Sequence, residues 1–287
     1  MRESRRLVGE VSTRVYEVDG SGPAVVLLHG FSDHAAGWRR TLAELARRGQ
    51  RAVAVDLPGF GKADDFVRDQ PLMAQLDRFV AAVVREWTDA VSGPPVLAGN
   101  SLGGALAVRA AQNLDPPPAG IVPIAPAGFG HVWWLDAGER FPLLASVLVR
   151  PVLPMAVTRE VIRFGFHWFA LAGAQADPDL AAEYIDQFQR GRDVTRLVSV
   201  ANRMADDLRA GFALHEIRCP VLLIWGQRDR ITLPSGAERV LRQIPHAEYA
   251  ELPDGGHCPH YQEPDRIAEL LVDFAVRTVP GDQAESA

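Results

Sequence analysis

The sequence predicts an α/β protein: a mostly parallel sheet with helices on both faces and a helical lid inserted into it. Three observations carry that expectation. Short apolar runs of strand length recur along the chain and stop at Gly, Pro or Asp. Segments of helical length separate them, and strands that are apolar throughout rather than alternating belong in a sheet covered on both sides. The alternation breaks off after residue 126 and resumes after residue 212. At 287 residues the chain is near the size, ~250–300 residues, at which one core stops growing.

Val11 to Val18 alternates in the manner of a strand, and Pro23-Ala-Val-Val-Leu-Leu28 is a buried-type run ending at His29-Gly30. A helical stretch follows through Trp38 to Arg48, then a strand from Arg51 to Val55 closed by Asp56-Leu-Pro-Gly-Phe-Gly61. Pro71 to Val91 reads as a long helix, with proline suited to its first turn. Strand Pro95 to Ala98, helix Leu102 to Asn113 and strand Gly120 to Ala125 complete the first half. After the break come strand Cys219 to Trp225, helix Pro234 to Gln243, strand Ala247 to Leu252 and a closing helix from Asp265 to Val276. The last residues, Pro280 to Ala287, have the polar composition of a frayed tail.

Residues 1–126 and 213–287 are therefore expected to form the core, and residues 127–212 a helical cap or lid. The insertion is broken at Pro142, Pro151, Pro154, Gly173 and Pro178, and it is rich in aromatics, among them Trp133, Trp134, Phe166, Trp168 and Tyr184.

Composition excludes several function classes. Hydrophobic residues make up 47% and charged residues 23%, with a net charge of −6. A basic face that neutralises phosphates is not expected, so neither is a nucleic-acid partner. Two cysteines, Cys219 and Cys258, are too few for a disulfide framework or a cysteine-built metal site. No apolar run of signal-peptide or membrane-span length is present, which predicts a cytoplasmic protein with no membrane partner. No glycine-rich nucleotide loop, flavin fingerprint or paired metal-ligand spacing occurs, so no cofactor and no metal are expected.

The strongest chemical signal is Gly99-Asn-Ser-Leu-Gly-Gly104 between an apolar strand and an Ala-rich helix. G-x-S-x-G needs small flanks because the serine occupies a strained strand-to-helix turn that exposes its hydroxyl above the sheet. The helix then directs its positive end at the reacting centre. The second signal is Asp229, just past the strand in Leu222-Leu-Ile-Trp-Gly-Gln-Arg-Asp-Arg-Ile-Thr-Leu-Pro234. The third is His257 in Asp254-Gly-Gly-His-Cys-Pro-His260. Singly, such an aspartate is commonly a turn former and such a histidine merely solvated. Jointly, Ser101, Asp229 and His257 each follow a strand, at the sheet end where catalytic groups gather.

With these motifs the chain resembles the α/β-hydrolase superfamily, through His29-Gly30-Phe31, Asp56-Leu-Pro-Gly-Phe-Gly61, Gly99-Asn-Ser-Leu-Gly-Gly104, Trp225-Gly-Gln-Arg-Asp229 and Gly256-His257. They span about residues 20 to 278 in the superfamily's order. Lys62-Ala63 departs from it, since many relatives carry a small hydroxyl residue after the glycine. The resemblance implies Ser101 as nucleophile, His257 as general base and then acid, and Asp229 as the carboxylate that orients His257. It also implies an oxyanion hole from the backbone N–H groups of Phe31 and Leu102. His29 is expected to shape its loop, Asp56 to hold a turn, and His260 to pack.

Similar proteins that open epoxides or displace halide carry aspartate at the position of Ser101; serine there implies an acyl-enzyme or a serine-assisted attack on a carbonyl. The leading expectation is hydrolysis of carboxylic esters of small to medium apolar substrates. The substrate pocket is placed at Asn100, Trp133, Trp134, Trp168 and Cys258, because apolar walls with few polar groups are the usual design. The alternative enzyme is a carbon–carbon hydrolase of β-diketones or ring-cleavage products, which Asn100 and the lid also suit; Arg159 and Arg163 are its candidate lid arginines. An expectation of a different class is a ligand-binding receptor on a hydrolase fold, against which the intact triad argues.

Overall fold

The computed structural model describes residues 1–21, 23–91, 93–129, 154–174, 177–209 and 211–278. Its strands are β1 (Arg2–Val8), β2 (Val11–Val18), β3 (Val25–Leu28), β4 (Ala52–Val55), β5 (Val96–Asn100), β6 (Gly120–Ile124), β7 (Leu222–Gly226) and β8 (Glu248–Leu252). The helices are α1 (Arg39–Arg47), α2 (Leu72–Val91), α3 (Leu102–Asn113), α4 (Met155–Gly165), α5 (Pro178–Asp186), α6 (Gly191–Arg209), α7 (Gly236–Gln243), α8 (Pro259–Gln262) and α9 (Pro264–Thr278). The expected tail, Pro280 to Ala287, lies outside the described residues, as do Trp133 and Trp134.

The strands form one sheet in the order β1-β2-β4-β3-β5-β6-β7-β8. β1 and β2 run antiparallel to their neighbours, and β3 to β8 pair in parallel. Strand residues divide by parity. Val26, Leu28, Val53, Val55 and Leu97 share one core with α2 and α3. Val25, Leu27, Ala52, Ala54 and Val96 share the other with α1 and α9. Burial on both faces is why these strands are apolar at every position. Each fully buried Leu or Val contributes roughly 1.5–3 kcal/mol relative to exposure.

Strand β1 was not foreseen from the sequence, and its composition explains why. Arg2, Glu3, Arg5 and Arg6 leave it without apolar alternation, and its residues outside Val8 are solvent-facing or half-buried. It is an edge strand, and charges on an edge discourage pairing with other chains. Register holds it through Arg2 opposite Glu17, and the Glu17 carboxylate also pairs with Arg6.

Chain direction across the sheet reverses around β3. From β3 the chain steps one way to β4, then crosses back to β5 on β3's other side. The crevice beyond the carboxyl ends of β3 and β5 is thus the switch point where open α/β sheets place their ligands. The loops leaving these two strands carry Gly30-Phe31 and Ser101.

The loop after β4 is organised by Asp56. Its wholly buried carboxylate accepts from Arg14 Nε (2.8 Å) and Nη2 (3.2 Å), from the Ala35 N–H (2.6 Å) and from the Lys62 N–H (2.7 Å). Gly61, at φ 55°, lies so close to this carboxylate that a Cβ would collide with it. Lys62 takes part through its backbone, so a hydroxyl side chain is not required for this path. Burial works against the Arg14 charge, and the adjacent Asp56 more than offsets it, raising the guanidinium pKa.

Between β6 and β7 the described chain is helical through α4, α5 and α6, with a π-helical turn at Phe166–Ala170. Phe166 stacks on Tyr184 at 4.1 Å and meets Tyr261 edge-on at 5.5 Å. Together with Leu171, Leu180 and Cys258 they form a third apolar cluster. Part of the aromatic content of residues 127–212 is therefore a seat on the α8 segment.

Candidate active site

The elbow follows from three glycines, Gly99, Gly103 and Gly104, and a strained serine. Ser101 sits at φ 51° and ψ −110° between β5 and α3, a conformation costly for a residue with a Cβ. Its N–H donates to Ile124 O (2.9 Å) and its carbonyl accepts from Ala105 and Ala127 (both 3.0 Å), so α3, the end of β6 and the loop beyond it hold the turn. A Cβ on Gly99 would strike the Gly103 backbone, and one on Gly103 would strike the Leu28 carbonyl. That contact seats the start of α3 on β3. The Ser101 side chain does not cap α3.

Asp229 and His257 come together from separate loops. His257 Nδ1 donates to Asp229 Oδ2 at 2.8 Å, with both side chains buried. Asp229 is fixed by its own turn: Oδ1 accepts from the N–H groups of Ile231 (2.7 Å) and Thr232 (3.0 Å), an Asx-type turn. Oδ2 also accepts from Thr232 Oγ1 (2.9 Å) and Trp225 Nε1 (3.2 Å). Thr232 Oγ1 lies 3.2 Å from His257 Nδ1, touching both partners. Sequence reasoning passed over Thr232, although a threonine three residues after the aspartate was the available signal.

Asn100 binds the His257 loop to the elbow. Its Nδ2 donates to His257 O at 2.7 Å, and Cys258 Sγ contacts its Oδ1 at 3.6 Å. Asn100 is 1% exposed and Cys258 8%. Both expected pocket residues are thus buried where the Ser101 turn meets the His257 loop, with the Asn100 amide engaged. Burial raises the Cys258 thiol well above its ordinary range, and nearby Asp33 and Asp229 add to the rise, keeping it a protonated thiol. Trp168 is 45% exposed. The Arg230 guanidinium lies 4.3 Å over its ring and donates to its carbonyl at 3.1 Å, joining the residue after Asp229 to residues 166–170. Arg159 pairs with Asp186 and Arg163 with Glu160.

The Gly30-Phe31 loop closes over the elbow. A Cβ on Gly30 would lie 3.2 Å from Asn100 Oδ1 and 3.4 Å from Ser101 Cβ. His29 is fully buried, its Nδ1 against Gly30 O (2.8 Å) and its Nε2 accepting from the Leu57 N–H (2.9 Å). Burial lowers its pKa, consistent with a neutral ring that braces the loop. Asp33 N–H donates back to Gly30 O (3.3 Å), making residues 30–33 a turn with Ser32 at φ 59° in its third place, as a type II turn requires. His260 is wholly buried and stacks on Trp38 at 4.1 Å.

Among the described residues no group of His, Cys, Asp and Glu is placed to hold a metal ion, and no helix is long and apolar enough to cross a membrane.

Comparisons with known proteins agree with this fold. Residues 25–270 match the family model described as the alpha/beta hydrolase family. The chain is 31% identical over 268 residues to a pimeloyl-[acyl-carrier protein] methyl ester esterase of Xanthomonas oryzae pv. oryzae, covering 92% of this chain and 99% of the relative. It is 28% identical to a 2-hydroxy-6-oxononadienedioate/2-hydroxy-6-oxononatrienedioate hydrolase of Paraburkholderia phymatum, covering 93% of each. The enol-lactonase from Burkholderia xenovorans LB400 superposes with a TM-score of 0.72 at 20% identity, covering 94% of this chain and 99% of that one. At that identity the likeness speaks for the fold alone.

Proposed function

The chain belongs to the alpha/beta hydrolase family, and from that premise we propose that it is a serine hydrolase cleaving carboxylic esters of small to medium apolar substrates through an acyl-enzyme. The observation that carries this reading is the buried 2.8 Å hydrogen bond from His257 to Asp229, in a loop whose carbonyl is clamped by the residue preceding Ser101. The esterase at 31% identity, matched over nearly its whole length, supports it.

In this mechanism His257 takes the Ser101 proton through Nε2 as the hydroxyl attacks the ester carbonyl. Asp229 holds the ring and stabilises the imidazolium that forms. The carbonyl oxygen, now an anion, receives the N–H groups of Phe31 and Leu102. Preorganised donors of this kind are each worth ~10²–10³ in turnover. Collapse expels the alcohol, protonated by His257, and water then attacks the acyl-serine by the same route. Residues 127–212 act as a lid over the switch point, and the substrate is a small molecule met in the cytoplasm.

A second reading, hydrolysis of a carbon–carbon bond, draws support from the relative that matches over 93% of both chains. The candidate lid arginines Arg159 and Arg163 are engaged by carboxylates, which leaves the ester reading ahead.

The test compares wild type with Ser101→Ala on p-nitrophenyl esters of increasing acyl length and on a ring-cleavage diketone. Loss of nearly all ester turnover in the variant, with a preferred acyl length in the wild type, is expected. Wild-type rates in Ser101→Ala would remove Ser101 from the mechanism, and turnover of the diketone alone would select the second reading.

A further inference from the structure

The turn that holds Phe31 is anchored from the loop that holds His257. Asp33 closes this turn through its N–H on Gly30 O. Its Oδ1 accepts from the Tyr261 hydroxyl at 2.7 Å and from the His34 N–H at 2.8 Å. Tyr261 is four residues past His257, and its hydroxyl is packed so tightly against Gly37 that a Cβ there would collide with it. Asp33 Oδ2 lies 3.6 Å from His260 Nε2, and neither atom has a hydrogen-bond partner of its own. Asp33 is 4% exposed.

Burying a carboxylate with one oxygen unsatisfied costs stability, and apolar packing would serve a purely structural joint at least as well. We infer that Asp33 is a positioning residue, which with Tyr261 ties the Gly30–Asp33 turn to the His257 loop and so sets the Phe31 N–H against the reacting oxygen. Ser32 secures the same turn from the other side, through the Tyr184 hydroxyl (2.9 Å) and Gln187 Nε2 on its carbonyl (2.7 Å). The inference rests on the reading of Phe31 as an oxyanion donor, and it adds the residue that aims it.

The experiment measures kcat and KM on p-nitrophenyl butyrate for Asp33→Ala, Asp33→Asn and Tyr261→Phe, together with inhibition by an alkyl trifluoromethyl ketone, whose adduct mimics the oxyanion. Rates are normalised to the fraction of Ser101 labelled by a fluorophosphonate. The expected result for Asp33→Ala is a fall in kcat of about tenfold or more, set by partial loss of one oxyanion donor, with KM within about twofold and equal weakening of the ketone. Asparagine, which still accepts from Tyr261, should restore most of both. Unchanged kcat and ketone affinity per labelled site would overturn the inference, as would losses that asparagine does not rescue. If Asp33→Ala does not fold, Tyr261→Phe decides, since it removes one oxygen and keeps the ring. A wild type that fluorophosphonate does not label would instead sink the serine-hydrolase reading itself.

Discussion

Thr232 places a single hydroxyl against both members of the proposed catalytic pair, Asp229 and His257. It donates to Asp229 Oδ2 while standing 3.2 Å from His257 Nδ1, and its backbone N–H holds the other Asp229 oxygen. Removing the hydroxyl leaves the carboxylate with one fewer charge-assisted bond, a loss of about 1.5–3 kcal/mol in a buried setting. Thr232→Val keeps the shape and the backbone bond. It is expected to lower kcat by roughly tenfold or more, at about 1.4 kcal/mol per factor of ten, and a Thr232→Ser variant should recover most of it. Steady-state rates on one ester check this; equal rates in Val and wild type would leave the hydroxyl without a part in the chemistry. Asn100 belongs at the same scale: placed by sequence in the pocket wall, it is found with its amide spent on the His257 carbonyl.

At the scale of elements, the loop after β4 stands or falls with Asp56. Four donors converge on it, two of them from the buried Arg14. Asp56→Ala would leave that guanidinium with the Glu183 carboxylate alone, 3.4 Å from its Nη1, and breaking a buried pair from one side costs about 3–5 kcal/mol. Denaturant unfolding should register a loss of that order, whereas a change below ~1 kcal/mol would mean that the Arg14–Asp56 pair is replaceable by solvent. The elbow is the other element argued from packing. Gly103 is glycine because the Leu28 carbonyl occupies the space of its Cβ, which is what brings the first turn of α3 down onto β3.

The whole molecule carries a pH dependence set by its buried titratable groups. Burial lowers the pKa of His29 and His260 below the ordinary 6.5, so both stay neutral in the fold while the unfolded chain binds protons. The unfolded state therefore holds more protons than the folded one as pH falls below 6.5. Stability should be fully present above pH 6.5 and decline below it as the histidines are forced to charge. Thermal melts at pH 8, 6, 5 and 4 check this; a melting temperature that holds level or rises on acidification would contradict it.

By itself the sequence determined the sheet from β2 onward and the order in which the residues proposed for its chemistry follow the strands. Apolar runs such as Val25–Leu28 and Ala52–Val55 are legible because burial on both faces forces every position to be apolar. Gly99, Gly103 and Gly104 around Ser101 are legible because a strained turn admits few alternatives. β1 was hidden, since an edge strand draws its stability from register and surface ion pairs rather than from an apolar pattern. Thr232, Asp33 and Tyr261 were hidden for a related reason. A buried polar group is defined by the partner it meets, and Asp33 meets Tyr261 across 228 residues of chain. Only the tertiary structure decides such pairings, because hydrogen bonds at that separation leave no local spacing to read.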